Sequence, residues 1–246
     1  SGALARSELT PTIEASIGDN ANIDIGNNIT VTAKSQANAK AESLGVGVGA
    51  LAAGASIVMA RIDGNVRAVI GSSATKIRAG GSITVRALQN VDENGNPIAN
   101  KRAWAKGNAS GGGLLSVNYV DVEAINSPNV EAAVHSALTT SAGNVTIKAI
   151  ANNEAIIPNA PSYSFGGLVV GAVILSAETN GSTKASLGGG ASVVTGHVYI
   201  DARNTSKAEA VGQAVGGGLL AGVGVDATSN ASPVVWAYIE NSARVT

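Results

Sequence analysis

Along much of the chain, small apolar side chains occupy every second position. In SQANAKAES, Ser35, Ala37, Ala39, Ala41 and Ser43 share one face of an extended backbone, with Gln36, Asn38, Lys40 and Glu42 on the other. The pattern returns at Ala103, Ala105, Gly107 and Ala109. It returns again at Ala208, Ala210, Gly212 and Ala214, set against Lys207, Glu209, Val211 and Gln213. Alternation of this kind places one set of side chains on one face of a strand, and helical spacing does not fit it. Four β-branched phrases add further strand signals: ITVTA from Ile29, ITVRA from Ile83, VTIKA from Val145 and VYIDA from Val198.

These phrases recur in a fixed order. The four anchors are spaced by 54, 62 and 53 residues, and the long middle interval contains NVDENGNPIANKR, from Asn90 to Arg102. A glycine or asparagine turn precedes each anchor. A second phrase lies further upstream: EASIG (14–18), RAVIG (67–71), EAAVH (131–135), KASLG (184–188) and WAYIE (236–240). The chain therefore reads as a single repetitive β domain, 1–246. Its units are a partial copy at 1–28, then 29–82, 83–144 and 145–197, and a partial copy at 198–246.

Each unit also holds a bland segment. SLGVGVGALAAGASIVMA, Ser43 to Ala60, carries no charge, and its counterparts are GGGLLSVNYV (111–120), FGGLVVGAVILSA (165–177) and VGGGLLAGVGVDA (215–227). A membrane-spanning helix needs about 20 apolar residues. The counterpart at 165–177 is too short for this, and the one at 111–120 soon reaches Asn118 and Asp121. The pairs Gly45/Gly49 and Gly167/Gly171 resemble helix-dimer spacings, but no apolar segment long enough to use them is present. No G-x-G-x-x-G or P-loop lysine marks a phosphate cradle. The segment reads as a buried strand whose glycines permit close approach of a neighbouring backbone.

All-β units of roughly 53 residues cannot bury their own faces and must stack on their neighbours. The expected fold is a β-solenoid, similar to a parallel β-helix, built from about four such repeats. An antiparallel β-sandwich array is the alternative. Whether a unit forms one wide coil or about three small ones is left open by the sequence.

Composition sharpens this picture. The hydrophobic fraction is 45% but consists mostly of Ala and Val; there are 31 glycines and one Phe. Such a core is thin, with small side chains on closely apposed sheets. A net charge of −1 leaves no electrostatic footprint for nucleic acid or for an anionic membrane. With no cysteine, neither disulfides nor thiolate metal sites are available. Ser1 to Thr12 lacks the basic start and apolar run of an export leader, so the sequence is expected to be an internal piece of a longer protein.

GVGVGALAAGASIVMARIDGNVRAVIG, followed by ATKIRAGGSITVRA, resembles the repeat region of giant bacterial filamentous haemagglutinin-like adhesins and surface fibre proteins. The resemblance covers essentially the whole chain. It implies export, display on the cell surface as a long β-helical fibre, and roles in adhesion. It supplies no catalytic motif.

Candidate chemistry is sparse. His135 and His197 are the only histidines, both beside turns in what read as equivalent regions. Asp201 and Arg203 come closest to the charged cluster of a polysaccharide-active β-helix, though alternating surface charge explains them. Asp92, Asn94 and Asn96 supply oxygens around Gly95, loosely like a calcium loop, but Ala103 stands where the bidentate glutamate belongs. An ordinary Asn-Gly turn competes with that reading. Lys101, Arg102 and Trp104 follow the insertion and could form a rim for a glycan. Trp236 reads as a surface residue. Six sequons begin at Asn28, Asn108, Asn144, Asn180, Asn204 and Asn230, as expected by chance in a chain rich in Asn, Ser and Thr.

The expected function is therefore non-catalytic: a stalk or fibre segment of an extracellular bacterial surface adhesin, with no cofactor. Alternatives are a self-assembling filament or sheath subunit and a carbohydrate-binding module on a β-helix. The expected partners are neighbouring repeats, other copies of the chain, and surface glycans or a receptor on another cell; nucleic acid and membrane insertion are not expected.

Overall fold

The structure, a computed structural model, describes residues 1–71 and 75–246; Ala74, which opens the phrase ATKIRA, lies outside them. The chain is all-β, 77% strand with no helix among the described residues. It begins with β1 (Gly2–Leu9), β2 (Thr12–Ile17) and β3 (Asn22–Ile25). The first full unit contains β4 (Ile29–Ser35), β5 (Ala39–Val48), β6 (Leu51–Ile62), β7 (Asn65–Ile70) and β8 (Lys76–Ala79). The second contains β9 (Ile83–Gln89), β10 (Ala103–Asn126), β11 (Asn129–Val134) and β12 (Ala137–Thr140). There follow β13 (Val145–Thr179), β14 (Ser182–Leu187) and β15 (Ser192–Val194), then β16 (Val198–Ala231), β17 (Val234–Ile239) and β18 (Arg244–Val245).

Three sheets result, and every pairing between these strands is parallel. β2, β7, β11, β14 and β17 form one; β3, β8, β12, β15 and β18 form another; the remaining eight form the third. Each strand pairs with its counterpart one unit away. Ile29, Ile83, Val145 and Val198 lie side by side, as do Ile13, Val66, Val130, Thr183 and Val235, and Ile23, Ile77, Leu138, Val193 and Val245. Each unit thus adds one rung to each sheet. Counterpart strands run in the same direction, whereas an antiparallel sandwich needs hairpin neighbours, so the parallel sheets argue against that alternative. Among the described residues, the one antiparallel bridge outside these strands, Val91 to Pro97, lies inside the insertion.

The rungs enclose two cores of different character. In the first, β-branched and leucine side chains from all three sheets converge, among them Ile83, Val85, Ile70, Leu138, Ile147 and Val193, all fully buried. We call this part the prism. In the second, the large sheet runs outward through β5 and returns through β6, and β10, β13 and β16 make the same excursion as long strands that fold back at their middles. The two layers of this fin meet over Ala39, Ala41, Ala60, Ala103, Ala105 and Val122.

The outer half of the fin is thinner still. A Cβ placed on Gly45 would overlap the carbonyl oxygen of Ala55 in the facing layer. One placed on Gly113, at the fold-back, would overlap the carbonyl oxygen of Gly49 in the rung below. Only glycine fits such contacts, which accounts for the segment 43–60 and its counterparts.

Candidate functional site

Among the described residues, the insertion is the one long segment without a counterpart in the other units, apart from a one-residue bulge in β13 between Ile157 and Ala160. Before it, Gln89 pairs with Ser35; after it, Ala103 pairs with Ala39, so the extra residues leave the sheet and the register resumes. Asn90 organises both ends. It is fully buried and held at a φ of 56°, a left-handed conformation that Asn tolerates better than most residues. Its side-chain oxygen accepts from Ala37 N at 2.8 Å, and its amide nitrogen donates to the carbonyls of Lys101 (3.1 Å) and Asn152 (3.3 Å).

The insertion folds back over the outer face of the anchor strands rather than projecting as a free loop. Val91 packs with Leu88 and Ile150, outward-facing residues of adjacent rungs, and the three form a small buried cluster. Glu93 pairs with Lys34 at 3.1 Å and Arg86 at 3.0 Å. At its apex, Asp92, Asn94 and Asn96 do come together, but as a self-capped turn. One Asp92 carboxylate oxygen accepts from the backbone N–H groups of Asn94 and Asn96, each at 2.8 Å, and the other accepts from the Asn96 amide at 3.0 Å. The Asn96 side-chain bond, helped by the backbone donors, holds the exposed Asp92 carboxyl below its ordinary pKa. A calcium ion here would have to displace these donors. Among the described residues, no group of three or more His, Asp or Glu side chains is placed to hold a metal.

Arg102 and Trp104 line a shallow pocket of about 320 Å³ with Asn38, Lys40 and Asn100. Lys101 does not line it; its carbonyl is held by Asn90. Trp104 pairs in register with Lys40 on one side and Ile156 on the other, and the Lys40 ammonium sits over its ring at 4.6 Å. With its amide nitrogen turned inward, Asn38 donates to the carbonyls of Arg102 and Asn100, each at 3.0 Å, and fixes the pocket floor. Arg102 reaches Glu154 at 3.9 Å. Sequence reasoning missed Asn38, Lys40 and Asn100. Aligning SQANAKAES on KRAWAKGNAS puts Lys40 beside Trp104, and this was the signal available for it.

The other candidates are scattered. His135 follows β11, packed over Gly188, whereas His197 precedes β16, and its carbonyl accepts from Val145 N. They occupy different corners of the rung, so the equivalence read from the sequence is corrected: β12 and the following turn separate them. Asp201 and Arg203 pair with each other at 2.9 Å. Lys184 lies over the exposed ring of Trp236 at 4.7 Å, as Lys40 lies over Trp104.

Comparison with known proteins finds no match among protein-family models, characterised proteins or solved structures.

Proposed function

We propose that the chain is a non-catalytic structural segment of an extracellular bacterial surface fibre, its rungs wound as a β-solenoid with one wide coil per unit. The observation that supports this is the parallel pairing of every unit with the next through three sheets, in register except for a bulge in β13 between Ile157 and Ala160. A scaffold of this kind gains length by adding units and needs no site to perform its task. The adhesin resemblance of the Gly- and Ala-rich phrases points the same way.

Electron microscopy of the chain and of a version with its central units duplicated tests this reading. Rungs stack about 4.8 Å apart, so length should grow by about 5 Å for each added unit. Two beads, or a particle that thickens without lengthening, would overturn it.

A second reading rests on the pocket at Trp104: a carbohydrate-binding module, with Asn100 and Arg102 donating to sugar hydroxyls and the Asn38 side-chain oxygen accepting from them. Glycan-array binding that disappears in Trp104→Ala would support it, and its absence would leave the stalk reading alone.

A further inference from the structure

We infer that the outer face of the returning fin layer is a pairing surface for a second copy of the chain, fin against fin. This inference concerns one surface and does not depend on the stalk reading. Outward residues of the return strands stand in columns along the stack. Leu51, Leu115, Leu168 and Leu220 form one column, and Ala53, Val117, Val170 and Gly222 form the next. Their chain neighbours Ala52, Ser116 and Val169 point into the fin and are buried, whereas Leu51 is 78% exposed and Leu220 68%.

No charged residue occurs in 43–60, 107–120, 155–177 or 210–225, so the outer half of the fin is uncharged on every full rung. Scattered apolar side chains on a surface are ordinary; a contiguous flat array of them marks an interaction site.

Size and charge select the partner. β6 is 12 residues long, about 40 Å, and four rungs span about 19 Å, so the whole return face covers about 750 Å², its uncharged outer half forming the apolar part and its charged inner half the polar rim. This is close to the roughly 800 Å² that each partner of a standard stable complex buries. The inner margin of the face carries Asp121, Glu123, Glu178 and Asp226 against Arg61, an acidic balance that disfavours an anionic lipid surface.

A two-fold axis along the fin reverses the order of rungs while keeping columns matched. Leu51 then meets Leu220 of the second copy, and Leu115 meets Leu168. The column Ile57, Asp121, Ile174 and Asp226 alternates, so reversal sets each Asp opposite an Ile. In the same arrangement Glu123 faces Ser176, and Glu178 faces Ile125. No acidic side chain meets another.

Sedimentation velocity of the full 246-residue chain across micromolar concentrations tests the inference. The expected result is a monomer–dimer equilibrium that Leu115→Glu weakens by about tenfold or more. Tyr163→Glu, on the opposite face, should leave it unchanged, with both variants melting as the parent does. Because the chain has no cysteine, a mixture of the Leu115→Cys and Leu168→Cys variants should crosslink faster than either alone. A chain that stays monomeric, or a dimer indifferent to Leu115→Glu, would overturn the inference. So would growth into long oligomers indifferent to that change, which would assign association to the open strand edges. Binding of a monomer to neutral phosphatidylcholine vesicles, lost in Leu115→Glu, would make the face a lipid-docking surface instead and also overturn it.

Discussion

The prism and the fin use the same parallel ladders yet are filled in opposite ways. Inside the prism, Ile, Val and Leu from three sheets meet at a distance that whole side chains can span. In the fin two layers face each other directly, and the space between them narrows from alanine at the root to glycine near the fold-back. The prism derives its stability from apolar volume. The fin depends on the absence of volume, so that backbone meets backbone. Two cores fed by one chain thus respond differently to the same substitution.

The largest effect should come from filling the fin. Gly113→Val drives a side chain into the carbonyl of Gly49 and should cost more than about 3 kcal/mol, at the upper end of overpacking penalties. Urea melts would measure it, and a cost below about 1 kcal/mol would mean the layers can part. Emptying the prism comes next: Ile147→Ala should cost about 2–5 kcal/mol, whereas the volume-conserving Ile147→Leu should cost less than about 1.5. If the conservative exchange were as damaging as the deletion, the contrast between the regions would fail.

Asn90→Ala tests the hinge between them. It removes a buried acceptor and donor and leaves an unfavourable φ, for an expected loss of about 2–3 kcal/mol. Asn90→Asp keeps the acceptor but sets a buried carboxylate oxygen against the Lys101 and Asn152 carbonyls, so at neutral pH it should cost at least as much as Asn90→Ala. The smallest effect belongs to the Asp92 turn. Its carboxyl is held below the ordinary value in the folded chain, so its contribution is complete above the unfolded pKa. That contribution is lost as acid takes the pH down through the folded one. Carboxyl-carbon NMR should show Asp92 titrating below the ordinary aspartate value, and Asn96→Ala should bring it back toward that value.

Much of the architecture was legible because the repeat is strict. The anchor phrases at 29, 83, 145 and 198 lie side by side in the large sheet, and the alternating alanines mark the face that the fin buries. The glycine-rich segments were legible as places of close backbone approach, but the reading of a buried strand is corrected: 43–60 folds back between β5 and β6, and Leu44, Val48 and Leu51 lie on exposed outer faces. The number of rungs per unit was not, since an alternating strand looks the same in a wide coil or a narrow one; that follows from which residues pair. The insertion was legible as a break, but its seat was not. Leu88 and Ile150 look like ordinary outward positions until Val91 covers them. At the candidate site Arg102 and Trp104 were identifiable from their chemistry. Asn38 and Lys40, more than sixty residues earlier, join them only through the register.

The same register also determines how the chain can fold. Nearly every backbone ladder joins residues one whole unit apart, so an isolated unit can bring its own faces together but can pair none of its strands. The first pair of rungs must close loops of some fifty residues before any ladder forms, a slow and unfavourable start. Once two rungs exist, each further unit meets a ready template and closes its loop against an edge already in place. Folding is therefore a nucleation followed by zipping along the stack, and its slow step is set by the first two rungs, whatever the number that follow.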